Sequence, residues 1–315
     1  LIVNRLSLIW LYFLMSVTLL FVMACTNLTE KQSLQPENSP LPLYKSEKTK
    51  QNLLFVSNQD GDREIFLTDI NGAFLTQLTF NDRDDYDASW SADGQFILFS
   101  SNRDNGNAEV YIMHADGSNQ TNLSNSRGYD GQPRWSPDGQ SIVFNSDRNG
   151  GIGLYVMSLD SKNIKQLSKD DTDSYAFPAW SPNGEWISYS KQDFKGKSNI
   201  WIVKADGSEH KQLTNTRKSE EGQVHWSPNS QKLLYHSRRN REYNIYLFDL
   251  TSMEEQQLTY LRSADSRPQW SNKGEQIVFL STRGPVGRTQ LFIMKEDGSQ
   301  LQSLSDARFQ VDNAT

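Results

Sequence analysis

Two histidines, His225 and His236, come closer to a metal-binding arrangement than any other residues in this chain. If a hairpin pairs residue 225 with residue 234, both imidazoles fall diagonally on one sheet face. Such a pair could open a divalent-metal site, but no third ligand is apparent. The plainer reading is two core histidines. Acidic residues cluster more densely: Asp82, Asp84, Asp85 and Asp87, then Asp130, then Asp170, Asp171 and Asp173, then Glu220 and Glu221. Tyr86, Tyr129 and Tyr175 sit among them. An acidic ring with tyrosines suits a polar protein or peptide partner, while the alternative is a solvated loop surface. The D-x-D-x-D-G ligand spacing of a calcium loop is missing. No Ser-His-Asp order or paired-carboxylate geometry stands out, so no catalytic residue is assigned, and no cofactor is expected.

Composition narrows the partners further. The chain has 315 residues, 32 basic against 38 acidic, and a net charge of −6. An acidic protein without a basic stripe is a poor nucleic-acid binder. No glycine-rich phosphate loop occurs, and the glycines fall in Asp-Gly and Asn-Gly turns.

The elements that would carry these residues repeat. Trp90, Trp135, Trp180, Trp226 and Trp270 are each followed by serine, at intervals of 45, 45, 46 and 44 residues. A period in the forties with strand-like patterning predicts a β-propeller. Each unit reads as four strands, A to D. Strand A holds the tryptophan, and a tight turn such as Pro137-Asp138-Gly139 follows it. Strand B is short and apolar, as in Ile142-Val143-Phe144. Strand C carries an apolar-aromatic pair six times, from Ile65-Phe66 to Leu291-Phe292. Strand D closes with Leu-Thr or Leu-Ser, from Leu78-Thr79 to Leu304-Ser305. Six units predict an all-β, six-bladed propeller of four-stranded antiparallel blades. The first unit opens on strand B, so its strand A must come from elsewhere. The tail from Arg308 to Ala314 has the right offset to supply it and close the ring. The A–B and C–D turns share one face, and the longer, more varied B–C and D–A loops share the other. The acidic residues are expected in the D–A loops of that second face. The tryptophans are expected as packing between blades.

The runs Ser101-Asn102-Arg103-Asp104 with Glu109-Val110-Tyr111, and Pro133 to Gly139, resemble the PD40, or TolB-like, family of WD40-like propellers. The resemblance spans roughly residues 53–315. It implies a non-catalytic scaffold that binds another envelope protein or peptide, such as a peptidoglycan-associated lipoprotein. The α/β domain that precedes the propeller in TolB is not seen here, where a short linker leads into blade one. Oligogalacturonate lyases resemble this family in their propellers and carry a metal. They supply the alternative reading, a carbohydrate-binding or metal-dependent lyase propeller built around His225 and His236.

The N-terminal segment suggests a location. Leu6 to Ala24 is almost wholly apolar, follows Arg5, and ends in Val22-Met23-Ala24-Cys25. This pattern resembles a bacterial lipobox, with Cys25 as the lipidated residue; an uncleaved membrane anchor is the alternative. Residues 1–24 are then a signal peptide, 25–50 a Pro- and Ser-containing tether, and 51–315 the propeller. The expected protein is a monomer, lipid-anchored in the bacterial cell envelope at the outer membrane and facing the periplasm. Removing the leader takes only Arg5 and leaves a net charge of about −7.

Overall fold

The computed structural model describes residues 52–303, apart from 59–60, 70–73, 105, 169–171, 217–218, 240, 261–262 and 284–288. Six antiparallel sheets follow one another along the chain, each a simple meander. They are the blades of a six-bladed propeller. Five have four strands; the first, Asn52–Ser57, Glu64–Asp69 and Leu75–Gln77, has three among the described residues. The tail expected to complete it lies outside the described residues, as do the signal peptide, Cys25 and the tether. Among the described residues no helix is long and apolar enough to cross a membrane.

Strand A of blades two to six is Asp85–Trp90, Asp130–Trp135, Ser174–Trp180, Glu220–Trp226 and Asp265–Trp270. All five carry a β-bulge at the same place. Two strand A residues there oppose one aromatic of strand B, which is Phe99, Phe144, Tyr189, Tyr235 or Phe279. Each of these aromatics is fully buried. The first residue of each bulge has left-handed backbone: Asp87, Gln132, Phe177, Gln223 and Arg267, with φ between 52 and 57°. Left-handed backbone costs a non-glycine residue about 1–2 kcal/mol, so packing must hold it. The next residue is proline in three blades, Pro133, Pro178 and Pro268, where a bulge leaves no ladder bond for a missing N–H to break.

The serine after each tryptophan fixes the A–B turn. In blade three Ser136 Oγ donates to Asp138 Oδ1 at 2.5 Å and accepts the Ser141 amide at 2.9 Å. Blades two, four and five repeat this with Ser91, Ser181 and Ser227. Strand D ends earlier than the sequence suggests, at Gln77 in blade one and Gln257 in blade five. The following Leu-Thr pair instead ties the strand end to strand C. The Leu78 amide donates to Ile65 O at 2.8 Å, and the Ile65 amide donates to Thr79 Oγ1 at 2.8 Å. Blade five does the same with Leu258 and Thr259.

Blades pack through separate apolar clusters at their junctions. Trp226 and Trp270 are buried in them, as expected. Trp90, Trp135 and Trp180 are only half-buried, and with Trp226 they line the central channel. Two indoles also tie neighbouring inner strands: Trp135 Nε1 donates to Ser89 O at 3.2 Å, and Trp226 Nε1 to Ala179 O at 3.1 Å.

Candidate functional site

Most of the acidic residues expected in exposed loops lie inside the fold. Asp85, Tyr86 and Asp87 belong to strand A of blade two and are buried. Asp130 opens strand A of blade three, Tyr175 lies in that of blade four, and Glu220 and Glu221 open that of blade five. The side chains of Asp85, Asp130 and Glu221 are 0% exposed. Each receives an arginine from the B–C side of its own blade: Arg103 at 2.6 Å, Arg148 at 2.9 Å and Arg239 at 3.0 Å. Blade six repeats the pair with Asp265 and Arg283 at 2.5 Å. Arg148 also lies over the Phe144 and Tyr155 rings, 5.2 and 5.3 Å from their centroids. Arg103 and Arg283 sit over their blade's aromatic pair in the same way. These acids fasten the B–C loops to strand A, so their carboxylates do not face solvent as a recognition ring would require. Tyr86 and Tyr175 are buried, and Tyr129 packs half-buried against Val56, Tyr86 and Ala108. Glu220 is half-buried and pairs with Arg238 at 2.8 Å. Of the proposed face only Asp82 is exposed, while Asp84 pairs with Arg63 at 2.7 Å. Asp170 and Asp171 lie outside the described residues. The sequence signal misled because a period-two alternation cannot separate a carboxylate beside a buried arginine from one beside water.

The structure offers a different site. The five inner strands and Leu54 of blade one surround an axial cavity of about 710 Å³. Its lining comes in layers. The layer nearer the D–A loops is the ring of left-handed residues, Asp87, Gln132, Phe177, Gln223 and Arg267. The next, towards the A–B turns, is Ser89, Arg134, Ala179, His225 and Gln269. The bulge is what aims the first layer inward, so the strained backbone and the cavity have one cause. None of these residues except Asp87 and His225 drew attention in the sequence. The usable signal was positional: all five of the first layer lie three residues before a repeat tryptophan.

Polar groups converge on this cavity. Arg134 Nη1 donates to Pro133 O at 2.7 Å and Asp87 O at 3.3 Å. Burial pulls the Arg134 guanidinium below its ordinary pKa, and Asp87 partly offsets this. Burial also lowers Arg267, to about 10, again against an offset from Asp87. Gln132 Oε1 accepts the Phe177 amide at 2.7 Å. Gln223 Oε1 is buried without a hydrogen-bond partner.

The histidine pair has the register inferred from sequence. His225 pairs with Leu234 and His236 with Gly222, on opposite sides of the bulge. His225 Nδ1 accepts the Trp270 amide at 3.3 Å, which places its proton on Nε2. Burial, then the charge of Arg134, lowers the His225 pKa to about 4. Burial, then Arg267, lowers His236 to about 3. The His236 ring packs edge-on to Tyr243, with centroids 5.4 Å apart. Guanidinium charge beside each imidazole repels a divalent cation, so this donor set does not fit a metal. Among the described residues no three His, Cys, Asp or Glu side chains form a metal-sized group.

Over 130 residues the chain is 29% identical to an uncharacterized protein, Atu1656, of Agrobacterium fabrum; the match covers 41% of this chain and 43% of that one. Its fold is that of TolB from Acinetobacter baumannii, with a TM-score of 0.61, 19% identity, and coverage of 78% of this chain and 60% of TolB. An oligogalacturonate lyase in complex with manganese has the same fold, with a TM-score of 0.64, 16% identity, and coverage of 80% and 73%. The chain thus spans less than two thirds of the length of Atu1656 and of A. baumannii TolB. Residues 102–241 and 221–313 match the TolB beta propeller domain family, PD40. The chain belongs to that family.

Proposed function

We propose that this protein is a non-catalytic cell-envelope lipoprotein whose propeller recognises another envelope protein through its axial channel. The observation that carries the reading is the ring of five left-handed, non-glycine residues lining that channel. Backbone strain repeated at one position in five blades is retained where it positions side chains for a ligand. Membership of the TolB beta propeller family and the fold shared with TolB support a protein partner, of which a peptidoglycan-associated lipoprotein is one. Anchoring through acylated Cys25 would hold the propeller at the outer membrane, facing the periplasm and acting as a monomer. The lyase reading has less support here, because Arg134 and Arg267 stand beside the two histidines that would hold its metal.

Affinity capture from intact envelopes tests this function. Gln269→Trp, which fills the channel from a half-buried position, should abolish partner capture. Asp138→Ala and Asp116→Ala, on the opposite turn face, should leave it intact. Capture unaffected by Gln269→Trp and lost with the turn-face changes would reverse the assignment. Cys25→Ser should release the protein from the membrane fraction or leave its signal uncleaved. A mature chain beginning elsewhere would end the lipoprotein reading. Stoichiometric manganese in the purified protein would favour the lyase.

A further inference from the structure

We infer that the channel receives an extended peptide bearing one acidic side chain, with its carboxylate seated between the Arg134 guanidinium and His225 Nε2. This rests on the reading of the channel as the recognition site and specifies what enters it.

Arg134 differs from the arginines on the B–C side of the blades. Arg63, Arg103, Arg148, Arg239 and Arg283 each bond a carboxylate within 3.0 Å. The bonds that hold Arg134 run to two backbone carbonyls through a single nitrogen. A guanidinium offers five donors, so Arg134 retains a planar fork suited to a carboxylate. A desolvated cation without a bonded counter-ion is costly, and an entering anion removes that cost. His225 belongs to blade five and Arg134 to blade three, yet the charge of Arg134 is felt at the imidazole across the channel. Both residues line the one cavity, and with Nδ1 accepting the Trp270 amide the imidazole keeps its N–H on Nε2. Gln132 and Gln269 add neutral amides to the lining.

The remaining lining favours a peptide over an acidic polysaccharide. Phe177, Val224 and the half-buried indoles give the channel apolar walls. Arg134 and Arg267 set against Asp87 leave the lining one net positive charge, enough for one carboxylate and not for the carboxylate that a uronate chain brings on every sugar. One carboxylate among amide and apolar groups is the arrangement that the lining matches.

Linkage gives the test a readout inside the site. The charged groups that line the cavity with His225 are Arg134, Asp87 and Arg267; His236 lies on the neighbouring strand of its own blade. A bound carboxylate must raise the His225 pKa, and binding must tighten as pH falls towards that raised value while the peptide's own carboxyl stays ionised. The full propeller would be labelled with 15N in its indole and imidazole groups. It would be titrated by NMR with Ac-Ala-Glu-Ala-Ala-NH2, its Gln counterpart, and trigalacturonate. The Glu peptide should shift the channel indoles and raise the His225 pKa. The Gln peptide should bind about tenfold more weakly, the loss of one charge-assisted contact. Arg134→Gln should abolish that difference, and Arg134→Lys should restore most of it, while the unliganded spectra of both remain those of the folded chain. Equal binding of the two peptides, no shift from either, or discrimination that survives Arg134→Gln would overturn the inference, as would a response to trigalacturonate alone. If peptides are silent but Gln269→Trp still abolishes envelope capture, the channel reading stands and the carboxylate fails. If that variant captures normally, the channel reading itself falls.

Discussion

Replacing Arg148 by methionine asks whether the repeated acids are fasteners or a recognition surface. Asp130 is fully buried, and Arg148 keeps 19% exposure of its side chain. Arg148 Nη2 donates to Asp130 Oδ2 at 2.9 Å, and its Nε to Ser146 Oγ at 2.8 Å. Removing one partner of a buried pair costs about 3–5 kcal/mol, because the other charge is left without compensation. Methionine keeps much of the contact with Phe144 and Tyr155, and water can reach the vacated edge, so the expected loss is about 3 kcal/mol. Asp130→Asn leaves a guanidinium that can turn towards solvent, at a smaller cost of about 1.5–2 kcal/mol. The double change, Asp130→Asn with Arg148→Met, should cost less than the sum of the two. Thermal unfolding would follow all three. For a chain of this size, about 3 kcal/mol corresponds to a shift of about 6–12 °C. A loss below about 1 kcal/mol for Arg148→Met, the usual worth of an exposed pair, would mean that Asp130 is solvated as its sequence context suggested.

Trp226→Ala should cost about 3–5 kcal/mol, because a buried indole and its bond to Ala179 O are both lost. Trp135→Ala, at a half-buried position, should cost less; the reverse order in urea unfolding would contradict the burial that separates the two indoles. Gln223→Gly removes a left-handed side chain and a buried unbonded oxygen, and should stabilise the fold by about 1 kcal/mol while weakening ligand binding. A destabilised, fully binding variant would contradict the strain argument. Glu64 is buried, and desolvation raises its pKa to about 7, with Asp85 nearby adding to the effect. The folded state then holds a proton that the unfolded chain has released, so this stabilising contribution is full below about pH 4.5 and is lost as pH rises towards 7. His225 and His236 act in the opposite sense: their depressed values make stability fall as pH drops below the ordinary histidine range. Glu64→Gln should therefore steepen the loss of stability between pH 7 and 4.5; an unchanged profile would remove Glu64 from the account.

The blades were legible because tryptophan spacing, Asp-Gly turns and apolar pairs all arise from local rules. The tryptophan-serine pair gave the turns, and the strand C aromatics gave the blade core. The site was far less legible. Asp85, Asp130 and Glu221 read as loop acids because their arginines lie about eighteen residues on, and nothing local records that they meet. The bulge is also silent in sequence, since glutamine, phenylalanine and arginine at its left-handed position carry no turn signal. Only three-dimensional register reveals that these residues share a ring. The histidine register was recoverable from strand pairing, but the neighbouring guanidiniums that argue against a metal come from other blades.

Site-specific photo-crosslinking tests the central claim most directly. A compact aliphatic diazirine side chain, which leaves the channel open as Gln269→Trp does not, would be placed at Gln269 in the channel, at Asp82 on the loop face and at Asp138 on the turn face, each in cells making the full chain. Recognition through the axial channel predicts a discrete protein adduct from position 269, fainter or absent at 82, and none at 138. Adducts from 138 or 82 with none from 269 would contradict it.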